Sequence, residues 1–310
     1  MSLDSEVRTK SAARFGELRN RDISAGPTVV IVLVCLVWGL NQVAIKFCLP
    51  DIPPVMQVII RSGGGLLMVL VWTWWRGLRL FERDGTLIAG LVVGVLFAAE
   101  FLMIFPGMQY TTASRATLFI YTAPFFVALG ARWLLPGEQL STLQWLGLAL
   151  CFAGIVAAVG LPQPNVDHTV LLGDAMVLAG GALWGATTLV IKATRLRGIS
   201  PEKALIWQLA VAVPIMTVAS VLWGEHITQT PRPSAIAWLV FQVAVVGFTF
   251  PIWFTFIQRF AATKVSAFTF LVPLFGVATG CILLNEPFTL PFGLAVALVT
   301  AGLVLVNRRA

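Results

Sequence analysis

Ten apolar runs, each close to twenty residues long, limit what this chain can become. They lie at about 28–49, 54–75, 85–107, 112–135, 141–161, 170–194, 202–223, 234–257, 264–284 and 290–307. A helix of roughly 20 apolar residues matches the hydrocarbon thickness of a bilayer. In lipid only helices and closed barrels satisfy their own backbone hydrogen bonds. The connections are too short to hold a soluble domain. Composition agrees, with 58% apolar and 11% charged residues and a mean hydropathy of +0.89; soluble domains carry about 25% charged residues. The expected class is an all-α membrane protein with ten transmembrane helices.

Residues 1–27 are polar and mixed in charge, and read as a cytosolic tail. No apolar region follows a basic start, and Asp4, Glu6, Glu17 and Asp22 argue against a transit peptide. With this tail in the cytosol, Lys46, Arg115 and Arg232 fall outside and Arg61 lies within a span. Every other Lys and Arg then lies inside, as the positive-inside rule requires, so both termini (308–310 included) are expected in the cytosol. The net charge of +7 is thereby accounted for without nucleic acid. Cys35, Cys48, Cys151 and Cys281 sit in apolar runs without metal-like spacing, and His168 and His226 are far apart. No metal or cofactor is expected.

The chain repeats itself. Trp38-Gly39-Leu40-Asn41-Gln42-Val43-Ala44-Ile45-Lys46 returns 146 residues later as Trp184-Gly185-Ala186-Thr187-Thr188-Leu189-Val190-Ile191-Lys192, a W-G-x6-K skeleton in each case. At a separation of 149, Gln109 matches Gln258, Ala113 matches Ala262, Arg115 matches Lys264, Tyr121 matches Phe270 and Pro124 matches Pro273. Glu138-Gln139-Leu140-Ser141 is echoed by Glu286-Pro287-Phe288-Thr289, and Gly154 by Gly302. We therefore divide the chain into a first repeat at 28–161, an external linker at 162–169 and a second repeat at 170–307. Five spans is an odd number, so the second repeat enters the membrane from the opposite side. Inverted repeats around a central cavity are the architecture of secondary transporters.

Polar and aromatic residues at mid-depth mark the expected lining. Trp38 shares a helical face with Asn41 and Gln42, and Trp184 with Thr187 and Thr188. Most other Trp residues sit near span ends, where an interfacial belt explains them; Trp38, Trp184 and Trp253 do not. Glu100 is the one acid near the middle of a span, with Phe97, Phe101 and Ile104 on its face. A carboxylate there costs at least about 2.5 kcal/mol and needs a cavity or partner. Proton carriage, pairing with a substrate ammonium and a structural hydrogen bond all suit it. Arg61, about two turns into the second span, suits an ion pair, a helix-end cap or a substrate carboxylate. Lys46 and Lys192 read as anchors reaching for the interface. Pro124 and Pro273 are expected to kink matched spans and serve as hinges. Gly63-Gly64-Gly65 and the ladder Ala149, Ala153, Ala157 read as close helix contacts.

Ten spans in two inverted halves, with W-G-x6-K opening each half and Glu-[Gln/Pro]-[Leu/Phe]-[Ser/Thr] before each last span, resemble the EamA branch of the drug/metabolite transporter superfamily. The resemblance covers about residues 28 to 307. It implies a cavity among helices one to four and six to nine, with five and ten to the side, and a transporter rather than an enzyme. An aromatic lining is similar to what the YddG-type aromatic amino-acid exporters of that family would need. The expectation is an inner-membrane carrier that exports aromatic or neutral amino acids by alternating access. Its partners would be a small-molecule substrate and membrane lipid, with no nucleic acid and no obligate protein. Its lining would comprise Trp38, Asn41, Gln42, Phe97, Glu100, Phe101, Tyr121, Trp184, Thr187, Thr188, Phe250 and Trp253. Drug or nucleotide-sugar carriage, a channel and an intramembrane enzyme are the alternatives. An enzyme would want paired acids, a metal cluster or a base beside a nucleophile, and the sequence offers none of these.

Overall fold

A computed structural model describes residues 23–78, 80, 82, 84–111, 113–159, 167–284 and 290–308. Residues 162–166 of the linker, most of the N-terminal tail and the second Glu-Pro-Phe-Thr motif lie outside the described residues. The described residues are helical and contain no strand: α1 (Ala25–Cys48), α2 (Pro54–Trp75), α3 (Leu87–Tyr110), α4 (Ala113–Ile120), α5 (Ala123–Leu134), α6 (Thr142–Val159) and α7 (His168–Ala193). After a 3-10 turn at Arg195–Gly198 follow α8 (Pro201–Leu222), α9 (Pro233–Arg259), α10 (Ala262–Ala267), a 3-10 turn at Phe268–Phe270, α11 (Leu271–Leu284) and α12 (Leu290–Asn307). Among these residues nine helices are long and apolar enough to cross a membrane, and Thr142–Ala158 is a shorter apolar one.

The fourth and ninth spans are each broken, where the sequence places Pro124 and Pro273. Proline lacks the N–H that the preceding turn needs. The fourth span pauses at Tyr121 and Thr122 between α4 and α5, and the ninth tightens into the 3-10 turn between α10 and α11. Threonine hydroxyls take up carbonyls at both breaks: Thr122 donates to Phe119 O at 2.6 Å, and Thr269 to Ser266 O at 2.7 Å.

With the ten apolar segments expected from sequence numbered in chain order as spans 1 to 10, the most extensive packing runs between spans 1 and 8, 8 and 2, 2 and 7, 7 and 3, 3 and 6, 6 and 4, 4 and 9, and 9 and 1. This is a closed ring of eight in which first-half and second-half spans alternate. Adding five to each number returns the same order. Spans 5 and 10 pair with each other beside the ring. That pair shows what holds such helices together in lipid, where close approach replaces the hydrophobic drive. A Cβ placed on Gly147 would lie 2.7 Å from Gly302 O, and one on Gly302 would lie 2.5 Å from Gly147 O. The contact runs through Gly147, Cys151 and Gly154, while Ala149 and Ala153 of the expected ladder are exposed. Those alanines have the right spacing but the wrong helical phase. Of the glycine triplet, Gly64 and Gly65 press on Val243 and Val246 of α9, and Gly63 meets nothing.

Candidate central binding site

The two copies of W-G-x6-K occupy equivalent places. Gly39 of α1 backs onto Phe275 and Gly276, and Gly185 of α7 onto Phe126 and Ala123, the partners Phe275 and Phe126 being 149 residues apart. One turn earlier, Cys35 Sγ lies 3.3 Å from Phe268 O, while a Cβ on Gly181 would lie 3.0 Å from Phe119 O, again a 149-residue pair. The duplication read in sequence thus recurs as duplicated contacts, with each glycine admitting the broken span of the other half.

Around Trp38 the packing is aromatic. Its ring lies 4.9 Å from Trp253 and 5.5 Å from Phe250, and its indole N–H donates to Thr249 Oγ1 at 2.8 Å. Trp184 meets Tyr121 edge-on at 6.1 Å. A small cleft with room for about one water molecule joins the two halves, lined by Pro124, Trp184, Thr188, Trp253, Ser266 and Thr269 among others. In sequence Ser266 stands out only as a neighbour of Pro273, and Thr269 carries no signal; both reach the cleft because the ninth span breaks there. Asn41, Phe97, Tyr121, Thr187, Thr188 and Trp253 are buried, Phe101 and Phe250 are partly so, and Gln42 is exposed. Asn41 Oδ1 is buried without a hydrogen-bond partner. Thr187 and Thr188 donate to Leu183 O and Trp184 O of their own helix. Their hydroxyls keep lone pairs only, so as placed they can accept from a donor such as an ammonium but cannot donate to a carboxylate.

Glu100 and Arg61 are both 6% exposed and act on each other electrostatically without a direct ion pair. The Arg61 guanidinium carbon sits 4.9 Å from the centre of the Phe101 ring, in cation–π contact. Phe101 in turn meets Phe97 at 4.8 Å. Glu100 Oε2 and Arg61 Nε are buried and have no hydrogen-bond partner. Both groups thus keep hydrogen-bonding capacity for a further partner.

The ends of the two matched helices differ. Lys192, near the C-terminus of α7, is 4% exposed; it stands 3.4 Å from Glu138 Oε1 and donates to Gln258 O and Phe260 O. Glu138 also accepts from Ala262 N at 2.8 Å, so the pair ties α7 to the connections after α5 and α9. This corrects the reading of Lys192 as an interfacial anchor. Its counterpart Lys46 is exposed, as is Gln42, whose counterpart Thr188 is buried. Toward its other end α7 is held by Asp174, which takes hydrogen bonds from Arg115 and from Thr111 Oγ1. Asp51, after α1, accepts both side-chain and backbone bonds from Arg232, and these hold its carboxyl below the usual range. Asp84 is held at about 2 by hydrogen bonds from Lys203 and Thr86. Among the described residues no group of three or more His, Cys, Asp or Glu could hold a metal ion.

The profile of the EamA-like transporter family matches the chain twice, over residues 27–160 and 171–308. The chain belongs to that family. Its relatives include the "probable amino-acid metabolite efflux pump" of Escherichia coli (strain K12), 27% identical over 292 residues, covering 89% of this chain and 93% of that one. Uncharacterized transporter YoaV of Bacillus subtilis (strain 168) is 24% identical over 277 residues, with 89% and 94% covered. A solved crystal structure shares the fold, with a TM-score of 0.78 at 17% identity, over 91% of this chain and 97% of that chain. The protein is therefore an integral membrane transporter of this family and not an enzyme.

Proposed function

We propose that this transporter exports aromatic and other neutral amino acids from the cytosol across a bacterial inner membrane by alternating access. Its ten spans form two inverted five-span repeats with both termini cytosolic. The observation that carries this reading is the unequal state of matched positions. Gln42 and Lys46 are exposed while Thr188 and Lys192 are buried, although their helices make duplicated contacts. Inverted repeats that trade these two states open the ring first to one side and then to the other. In this assignment the exterior end is open at Gln42 and Lys46, and Lys192 with Glu138 shuts the cytosolic end. Pro124 and Pro273 mark the two breaks at which spans 4 and 9 bend.

The substrate class is supported by the aromatic cluster of Trp38, Phe250 and Trp253 across from Trp184 and Tyr121, and by efflux pumps among the relatives. Such faces stack on an apolar side chain and attract an ammonium by about 0.5–2 kcal/mol. The test is counterflow of labelled tryptophan in proteoliposomes. Saturable flux that accelerates with unlabelled tryptophan on the opposite side is expected. Flux that does not saturate would indicate a channel and overturn the proposal.

A further inference from the structure

Internal symmetry shows that matched buried positions in the two halves carry different chemistry. Glu100 is 149 residues before Thr249, the residue that accepts from Trp38, and Phe101 likewise precedes Phe250. α2 and α8 open at Pro54 and Pro201, which makes Gln208 the counterpart of Arg61. One half thus holds a buried carboxylate and a buried guanidinium where the other holds a hydroxyl and an amide. Neither charge is spent on a direct ion pair, and Glu100 Oε2 and Arg61 Nε lack partners. Arg61 is already braced on Phe101. Trp38 of the charged half packs on Phe250 and Trp253 of the neutral half, beside Thr249.

We propose that the site takes its ligand as a zwitterion in one orientation, with the α-ammonium at Glu100, the α-carboxylate at Arg61 and the side chain on the Trp38 cluster. This rests on the amino-acid reading above and assigns the head group to one half of the ring. A carboxylate accepts from an ammonium, and a guanidinium donates to a carboxylate, often through two parallel bonds. Thr187 and Thr188 cannot replace Arg61 while their hydroxyls donate to their own helix.

Binding of four probes to the purified full-length protein tests the assignment: tryptophan, tryptamine, indole-3-propionate and indole. Wild type should bind tryptophan at least tenfold more tightly than any of the other three. Glu100→Gln should erase the preference over indole-3-propionate, and Arg61→Gln the preference over tryptamine. Removing one buried charge strands the other, so Arg61→Gln/Glu100→Thr serves as the companion variant, giving the first half the residues its counterpart already accommodates. It should bind tryptophan no better than indole. A wild-type protein that binds all four alike, or a double variant that still prefers tryptophan, overturns the zwitterion assignment alone. Failure of every indole compound to bind overturns the aromatic-substrate reading as well.

Discussion

Lys192→Met is the substitution most informative about the closed end. Lys192 Nζ stands 3.4 Å from Glu138 Oε1 and donates to two backbone carbonyls at the end of α9, with both side chains almost fully buried. Removing one member of a buried pair costs about 3–5 kcal/mol, because the remaining charge stays desolvated. That cost falls on the state in which the cytosolic end is shut, since opening returns Glu138 to water. At 1.4 kcal/mol per factor of ten, a loss of about 3 kcal/mol shifts the ratio of the two states by about 100-fold. A protein held at roughly 99:1 in favour of the shut cytosolic end would fall to about parity. The readout is modification of Gln42→Cys by a membrane-impermeant maleimide, against the background of the native cysteines. Labelling should drop by about half in the Lys192→Met background. Unchanged labelling, in a variant with an unchanged melting temperature, would refute the idea that this pair holds one end closed.

Three further outcomes follow from particular contacts. Gly39→Ala would place a Cβ 2.6 Å from Phe275 Cβ and 2.8 Å from Gly276 N; overpacking of this kind costs about 1–3 kcal/mol and should lower the melting temperature, whereas Gly26→Ala, which meets nothing, should not. Asp84 is depressed to about 2, so the stability from its bonds to Lys203 and Thr86 is full above about pH 3.9 and is lost as pH falls through about 2; acid titration of Asp84→Asn should lack that component. Trp38→Phe removes the donor to Thr249 and should cost about 1 kcal/mol in unfolding free energy, with Thr249→Val adding little in the double variant.

Much of the architecture was legible because a bilayer imposes it. Runs of twenty apolar residues fit few folds besides a helical membrane bundle, the W-G-x6-K copies mark a duplication, and Pro124 and Pro273 announce breaks in any helix. What could not be read is which polar residue faces which neighbour. Apolar residues coat both the lipid side and the packed side of a membrane helix, so periodicity did not separate exposed Gln42 from buried Asn41. The partner of Lys192 is a residue 54 positions away, brought near by the ring and not by local sequence. The spacing of Ala149 and Ala153 suited a packing ladder, yet Gly147, Cys151 and Gly154 on the neighbouring face make the contact. The orphaned atoms of Glu100 and Arg61 are visible only once the neighbouring helices are in place.

Reciprocal access at two matched positions would test alternating access most directly. Gln42→Cys and Thr188→Cys, 146 residues apart, would each be probed from the exterior and from the cytosolic side of oriented vesicles, with and without a tryptophan gradient. The expected result is that Gln42→Cys reacts from the exterior and Thr188→Cys from the cytosol, with one rate rising as the other falls. Both positions reacting from the same side, or both rates moving together, would contradict it.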